Sequence, residues 1–240
     1  MIIYGINPVA EALRSGRVRE IRIAERGDDR LRRLLDDAAA RGVTIVRVTR
    51  DALDREARHR VHQGIVAEVD ARREATLADL ARGGDVAPLI VVLDGIEDPQ
   101  NVGAILRTVD AAGATGVVRQ TRRAAPLAGA VAKASAGAVH HVAVADVVNI
   151  ARAIQELGRA GVWSVGLDAT GKTPYYELDL TVPTALVLGA EGHGLRRLVR
   201  ERCDTVAAIP MAGHVSSLNV SAAAAIVLFE AVRQRSRRRP

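Results

Sequence analysis

The sequence predicts an α/β protein in two parts: a small α/β domain over residues 1–70, and a larger domain over residues 88–240 built on a parallel sheet, with a linker over residues 71–87 between them. Three observations carry this prediction. Strand-like and helix-like segments alternate along nearly the whole chain. Two apolar runs, Leu89 to Leu93 and Ala185 to Leu188, show no polar alternation, as expected of parallel strands covered on both faces. A 240-residue chain with 48% hydrophobic content can bury one large core or two modest ones, which excludes disorder as the main state.

Asn7-Pro8 reads as an N-cap and first helical residue, with Val9, Ala12 and Leu13 on one face and Gly16 as the stop. Glu20 to Ala24 reads as a strand. Leu31, Leu34, Leu35 and Ala38 recur at helical spacing up to Gly42, and the strands Val43 to Val48 and Ile65 to Val69 follow. The charged, Gly-containing stretch from Asp70 to Pro88 holds the boundary, with a short helix inside it. Beyond it lie a helix from Val102 to Ala112, a strand at Gly116 to Val118 and a helix from Leu127 to Ala138. Val142 to Ala145 is a strand, Val147 to Ala160 a helix, Val162 to Gly166 a strand, and Val220 to Arg235 the last long helix. That helix ends in a run with five arginines and no acid, Arg233 to Pro240, which reads either as a solvated tail or as an RNA contact.

Composition narrows the function. The net charge is +6, and all 34 basic residues except Lys133 and Lys172 are arginine, whose planar fork suits phosphate. Aromatic residues make up only 2%, which argues against reading bases on a bank of stacked rings. Cys203 is the single cysteine and reads as a half-buried small hydrophobe; neither it nor the six histidines fall at metal-binding spacing, so no metal is expected. No apolar run is long enough for a membrane span, and the first residues do not read as a secretory signal, so the expected location is cytoplasmic.

Three strand-to-loop junctions concentrate glycine and small polar residues. In the first, Asp94 to Arg107, Asn101 can cap a helix and Arg107 follows more than a turn later, either as a plain surface residue or as a phosphate anchor. In the second, Leu188-Gly189-Ala190-Glu191-Gly192-His193-Gly194, the glycines allow close backbone approach but lack the dinucleotide fingerprint, and Glu191 would need a partner if buried. The third, Ile209 to Ser221, places Ser217 and Asn219 just before a helix, as caps or as a receptor for adenine or ribose edges. Cys203 has no obvious His-Asp partner order and no Gly-x-Ser-x-Gly elbow occurs, so covalent hydrolysis has little support.

At these junctions the sequence resembles the SpoU branch of the SPOUT RNA methyltransferases. Asp98-Pro99-Gln100-Asn101-Val102-Gly103-Ala104-Ile105-Leu106-Arg107-Thr108 is similar to the first family motif, Leu188-Gly189-Ala190-Glu191-Gly192 to the second, and Ile209-Pro210-Met211 with Ser217-Leu218-Asn219-Val220-Ser221 to the third. Lys133 to Ala138, Tyr4-Gly5 and His62-Gln63-Gly64 extend the likeness over nearly the whole chain, toward members that methylate a guanosine 2'-oxygen in the peptidyl-transferase region of 23S rRNA. The resemblance implies an L30e-like leading domain that holds RNA, a parallel-sheet domain closed by a C-terminal trefoil knot, a homodimer, and S-adenosylmethionine as cofactor. It implies cofactor binding at Leu188, Gly189, Gly192, Ile209, Met211 and Leu218, and catalysis by Asn101, Arg107, Glu191, Ser217 and Asn219.

Within that resemblance Arg107 carries the general-base role. A guanidinium that keeps its proton to beyond about pH 12 is better suited to holding a phosphate and stabilising a developing alkoxide, leaving the proton to phosphate or water. Glu191 is expected to fix Arg107 or the substrate. The family pattern is broken at Gly192-His193-Gly194 and near His140, which bears on RNA contacts or dimer packing more than on chemistry. A tRNA ribose methyltransferase and a catalytically inactive RNA-binding protein remain as alternatives.

Overall fold

The computed structural model describes residues 2–14, 16–24, 29–58, 60–69, 75–122, 124–127 and 129–237. Residues 71–74 of the expected linker and Arg238, Arg239 and Pro240 of the arginine-rich end lie outside this set. The chain forms two compact units, Met1–Arg72 and Arg73–Pro240.

The first unit runs β1 (Ile2–Tyr4), α1 (Ile6–Arg14), β2 (Val18–Ile23), α2 (Asp29–Ala40), β3 (Thr44–Arg47), α3 (Arg50–Glu56) and β4 (Ile65–Val69). Its sheet has the order β1-β4-β2-β3: β4 is antiparallel to β1 and β2, and β2 is parallel to β3. Val9, Ala12 and Leu13 of α1 and Leu31, Leu34 and Ala38 of α2 pack with Ile21, Ile65, Ala67 and Val69 of the sheet, and α3 puts Leu53 with Val66 in a separate cluster.

The predicted cap at Asn7 is not the one used. Helix α1 begins at Ile6, whose amide donates to Gln63 Oε1 at 3.0 Å, after Gly5 at φ +92°. A side chain 57 residues away therefore supplies the cap, and no local pattern could have revealed it. Gln63 itself has φ +52°, in a turn where His62 Nδ1 accepts from the Gly64 amide and Nε2 faces Asp54 Oδ1 at 3.0 Å. Strand β1 and helix α3 were not foreseen.

The second unit runs α4 (Leu77–Arg82), β5 (Leu89–Asp94), α5 (Pro99–Ala111), β6 (Gly116–Gln120), α6 (Ala130–Ala134), β7 (Val144–Val147), α7 (Ile150–Arg159), β8 (Trp163–Leu167), β9 (Thr173–Pro174), β10 (Thr184–Gly189), α8 (Arg197–Arg202), β11 (Thr205–Ala208) and α9 (Val220–Ser236). Its seven strands are all parallel, in the order β7-β6-β5-β10-β8-β11-β9. Strands β5 and β10 are buried throughout, which accounts for their unbroken apolar sequences. Because β10 enters between β5 and β8, the carboxyl ends of strands distant in sequence are brought side by side.

Three boundaries differ from expectation for identifiable reasons. Helix α5 starts at Pro99 because Asp98 caps it, accepting from the amides of Gln100 and Asn101; Asn101 is thus inside the helix and not its cap. The helix expected over Leu127 to Ala138 shrinks to α6 and a 3-10 turn at Ala138–His140, broken by Ala136 at φ +50° and Gly137 at φ +90°. This short helix lies so close to α5 that a Cβ on Gly103 would come within 2.4 Å of Ala134 Cβ. Helix α7 begins at Ile150, capped by Asn149, because Val147 is still paired with Gln120 in the sheet. Among the described residues, no helix is long and apolar enough to cross a membrane.

Candidate active site

A cleft of about 560 Å³ opens at the carboxyl ends of β8, β10 and β11. That is where open parallel sheets bind ligands, and the volume falls within the usual range for small-molecule sites. Leu188, Gly189, Gly192, Ile209, Met211 and Leu218 all line it, as do Glu191, Ser217 and Asn219. Four of these nine come from the second junction and five from the third, so residues separated by some thirty positions meet in one wall.

Asn101 joins these segments. Its side chain is 7% exposed; Nδ2 donates to Glu191 Oε2 at 3.1 Å, and Oδ1 accepts from Asn219 Nδ2 at 2.9 Å. The cap by Asp98 makes this geometry possible, because it places Asn101 at the third helical position with its side chain free. Asn219 has two tasks: its Oδ1 caps α9 by accepting from the Ser221 amide and hydroxyl, which leaves its amide nitrogen for Asn101. A primary amide offers two donors and two acceptor sites, so Asn101 still has one N–H and one lone pair for a ligand.

The second junction is held by two further features. The side chain of Asp94 at the end of β5 is fully buried and accepts from Arg196 N at 2.9 Å and Arg196 Nε at 2.6 Å, tying the segment after the glycine loop to the neighbouring strand. Inside the loop, a Cβ on Gly189 would lie 2.2–2.4 Å from the Gly194 and Leu195 backbone, so only glycine permits this approach.

Glu191 is exposed and its hydrogen-bond partner is Asn101; of the two roles expected for it, fixing Arg107 or the substrate, no contact with Arg107 is made. Arg107 is also exposed and is absent from the cleft wall. It lies six residues beyond Asn101 on α5, about 9 Å along the axis, with no hydrogen bond or ion pair to any described residue. The structure thus gathers ten of the eleven expected residues at or against the cleft and leaves Arg107 as a free cation on the helix leading away from it.

Asp168, Thr170 and Arg200 also line the cleft and were missed by sequence reasoning. The available signal was an acid directly after a buried strand at the carboxyl edge of a parallel sheet. Burial works to raise the Asp168 pKa, but hydrogen bonds from Thr170 and the Arg200 guanidinium outweigh it and hold the carboxyl below its ordinary range. Cys203 packs behind the cleft against Gly166; burial, aided by Asp204 and Asp94, pushes its thiol up to about 12, so it is no nucleophile at neutral pH. No group of three or more acidic, His or Cys side chains among the described residues could hold a metal ion.

Comparison with known proteins gives the family. Residues 88–229 match the SpoU rRNA Methylase family, and residues 2–75 match a family described as RNA 2'-O ribose methyltransferase substrate binding. The 23S rRNA (guanosine-2'-O-)-methyltransferase RlmB of Pseudomonas syringae pv. tomato is 44% identical over 99% of this chain and 97% of its own length. Its namesake from Photobacterium profundum is 45% identical over 98% of each. Among solved structures, the SpoU methyltransferase AviRb from Streptomyces viridochromogenes, in complex with AdoMet, superposes with a TM-score of 0.71 at 29% identity, covering 100% of this chain and 91% of that one. An AdoMet-bound rRNA methyltransferase from Sinorhizobium meliloti gives 0.65 at 27% identity, over 97% and 86%. With one family model covering more than half of the chain and full-length relatives at this identity, the chain belongs to the SpoU rRNA methylase family.

Proposed function

We propose that this chain methylates a guanosine 2'-oxygen in the peptidyl-transferase region of 23S rRNA, with S-adenosylmethionine as methyl donor. The observation that carries the reading is the Glu191–Asn101–Asn219 chain of hydrogen bonds at the edge of the cleft. It joins three separate junctions and leaves one N–H and one lone pair of Asn101 uncommitted. The 44% identity to a protein named for guanosine-2'-O methylation of 23S rRNA supports the substrate.

The cleft suits the cofactor. Leu188, Ile209, Met211 and Leu218 offer apolar surface to an adenine, while Gly189 and Gly192 let backbone approach it. When bound, the cofactor supplies an activated methyl group on a sulfonium. The protein must hold the ribose oxygen in line with that methyl and stabilise charge as the oxygen becomes a nucleophile. In this proposal Asn101 orients the ribose through its uncommitted N–H, Glu191 and Asn219 hold the amide in place, and Ser217 completes the wall. Arg107, with no partner among the described residues, binds an RNA phosphate beside the reacting nucleotide and steadies the developing alkoxide.

The Met1–Arg72 unit is proposed to hold RNA; the family matched over residues 2–75 supports that role. The proposal extends to a C-terminal trefoil passage, consistent with β10 between β5 and β8 and with α9 packed on α5, and to a cytoplasmic homodimer. The test offers labelled S-adenosylmethionine with separate rRNA and tRNA pools and maps the labelled nucleotide. Label on a guanosine 2'-oxygen of 23S rRNA is expected. Label confined to tRNA would overturn the substrate, and absence of cofactor binding would overturn the activity.

A further inference from the structure

Asp168 is a carboxylate with its two oxygens in different circumstances. Oδ1 accepts from the Thr170 amide at 2.9 Å, the Thr170 hydroxyl at 2.6 Å and Arg200 Nη1 at 3.0 Å. Oδ2 has no partner among the described residues and is not sealed from solvent. The residue lines the cleft, and its main chain is fixed as well: its amide donates to the Ala207 carbonyl of β11, and its carbonyl accepts from Gly171.

The glycine loop makes room for the free oxygen. A Cβ on Gly194, where φ is +63°, would lie 2.8 Å from Asp168 Oδ2. Any side chain at position 194 would displace the carboxylate or cover it. An ionised, pre-positioned acceptor beside a glycine turn inside a ligand cleft is built to accept hydrogen bonds from hydroxyl or ammonium donors.

Strand order selects between these donors. Asp168 follows β8, which lies between β10 and β11 in the sheet, and the apolar positions proposed for adenine lie at the end of β10 and after β11. The part of the cofactor bonded directly to adenine is the ribose, with its pair of hydroxyls. We propose that Asp168 Oδ2 accepts hydrogen bonds from the ribose hydroxyls of the cofactor, with Arg200 and Thr170 as positioning residues that hold the carboxylate toward them.

This inference rests on the proposed use of S-adenosylmethionine, and the test separates the two. Binding of S-adenosylhomocysteine to the full chain is measured by calorimetry, together with its 2',3'-dideoxy analogue and with methylthioadenosine, which keeps the ribose and lacks the amino-acid end. The wild-type protein is expected to lose about 10- to 100-fold in affinity for the dideoxy analogue, the scale of a hydrogen bond to a charged group. Asp168→Asn is expected to lose a similar factor for S-adenosylhomocysteine and to show little further loss with the dideoxy analogue.

Thermal unfolding of Asp168→Asn checks that the variant folds, and the analogue series on the wild type needs no variant at all. Arg200→Met, which keeps the carboxylate but frees it to rotate, is expected to lose less than Asp168→Asn. If the dideoxy analogue binds the wild type as well as S-adenosylhomocysteine does, or if the penalty of Asp168→Asn disappears only with methylthioadenosine, the ribose assignment is overturned. Failure of S-adenosylhomocysteine to bind the wild type would instead overturn the cofactor reading beneath it.

Discussion

Replacing Arg235 by methionine tests whether the arginine-rich end of α9 is structural or an RNA contact. The guanidinium donates to four carbonyl oxygens: Leu180 at 2.8 Å, Ala87 at 2.5 Å, Pro88 at 3.1 Å and Val182 at 2.8 Å. Two of these acceptors keep another donor, because Thr184 N reaches Pro88 O and Thr184 Oγ1 reaches Val182 O. The carbonyls of Ala87 and Leu180 would lose their only hydrogen bond among the described residues. Each orphaned acceptor costs about 1–3 kcal/mol. Burial lowers the Arg235 pKa, so removing the charge recovers part of its desolvation cost.

The net loss should be about 2–4 kcal/mol, or roughly 5–15 °C in the melting temperature of a unit of this size. Arg235→Lys, with three donors on a point charge, should fall between methionine and wild type. Thermal unfolding followed by circular dichroism measures the shift, and RNA binding by the folded variant should be unchanged. A melting temperature within about 2 °C of wild type, together with weakened RNA binding, would show that the carbonyl clamp is not what Arg235 is for.

Asn101→Asp keeps the shape but sets a second carboxylate against Glu191 across the present 3.1 Å hydrogen bond. The repulsion amounts to about 1–5 kcal/mol between water-like and protein-surface dielectrics. Methyl-transfer kcat/KM should fall at least about tenfold; activity within about twofold of wild type would contradict the pairing. Glu230 is held down to about 2, chiefly by its hydrogen bond from Arg233. Its folded pKa is depressed, so its contribution is fully present above the ordinary carboxylate range and is lost as the pH falls from about 5 toward 2. Urea midpoints of Glu230→Gln should show a flatter acid limb than wild type, and identical limbs would count against the assignment. Cys203, pushed up to about 12, should react with an aromatic disulfide reagent at pH 8 only after unfolding; fast labelling of the native protein would show that the thiol is not buried as described.

Much of the larger unit could be read locally. The unbroken apolar runs of β5 and β10 announced fully buried parallel strands, and Asn219 announced the start of α9, because burial on both faces and a side-chain cap each leave a mark within a few residues. The motif residues could be listed from the sequence as well. Their arrangement could not. That Asp98 and not Asn101 caps α5, that Asn101 thereby reaches both Glu191 and Asn219, and that Arg107 is absent from the cleft wall depend on helix phase and on partners about 90 and 118 positions distant.

Tertiary packing alone decided the remainder. The cap of α1 comes from Gln63, α6 is cut short where it presses on Gly103, Arg235 turns inward to four carbonyls, and Asp168 enters the cleft because β10 and β11 flank β8. The sequence by itself determined which segments become strands and helices and which chemistry they carry, since those depend on neighbouring residues along one chain. The order of strands in the sheet determined which of those groups meet, because hydrogen bonds and ion pairs act over a few ångströms and only folding sets the distances between residues far apart in sequence.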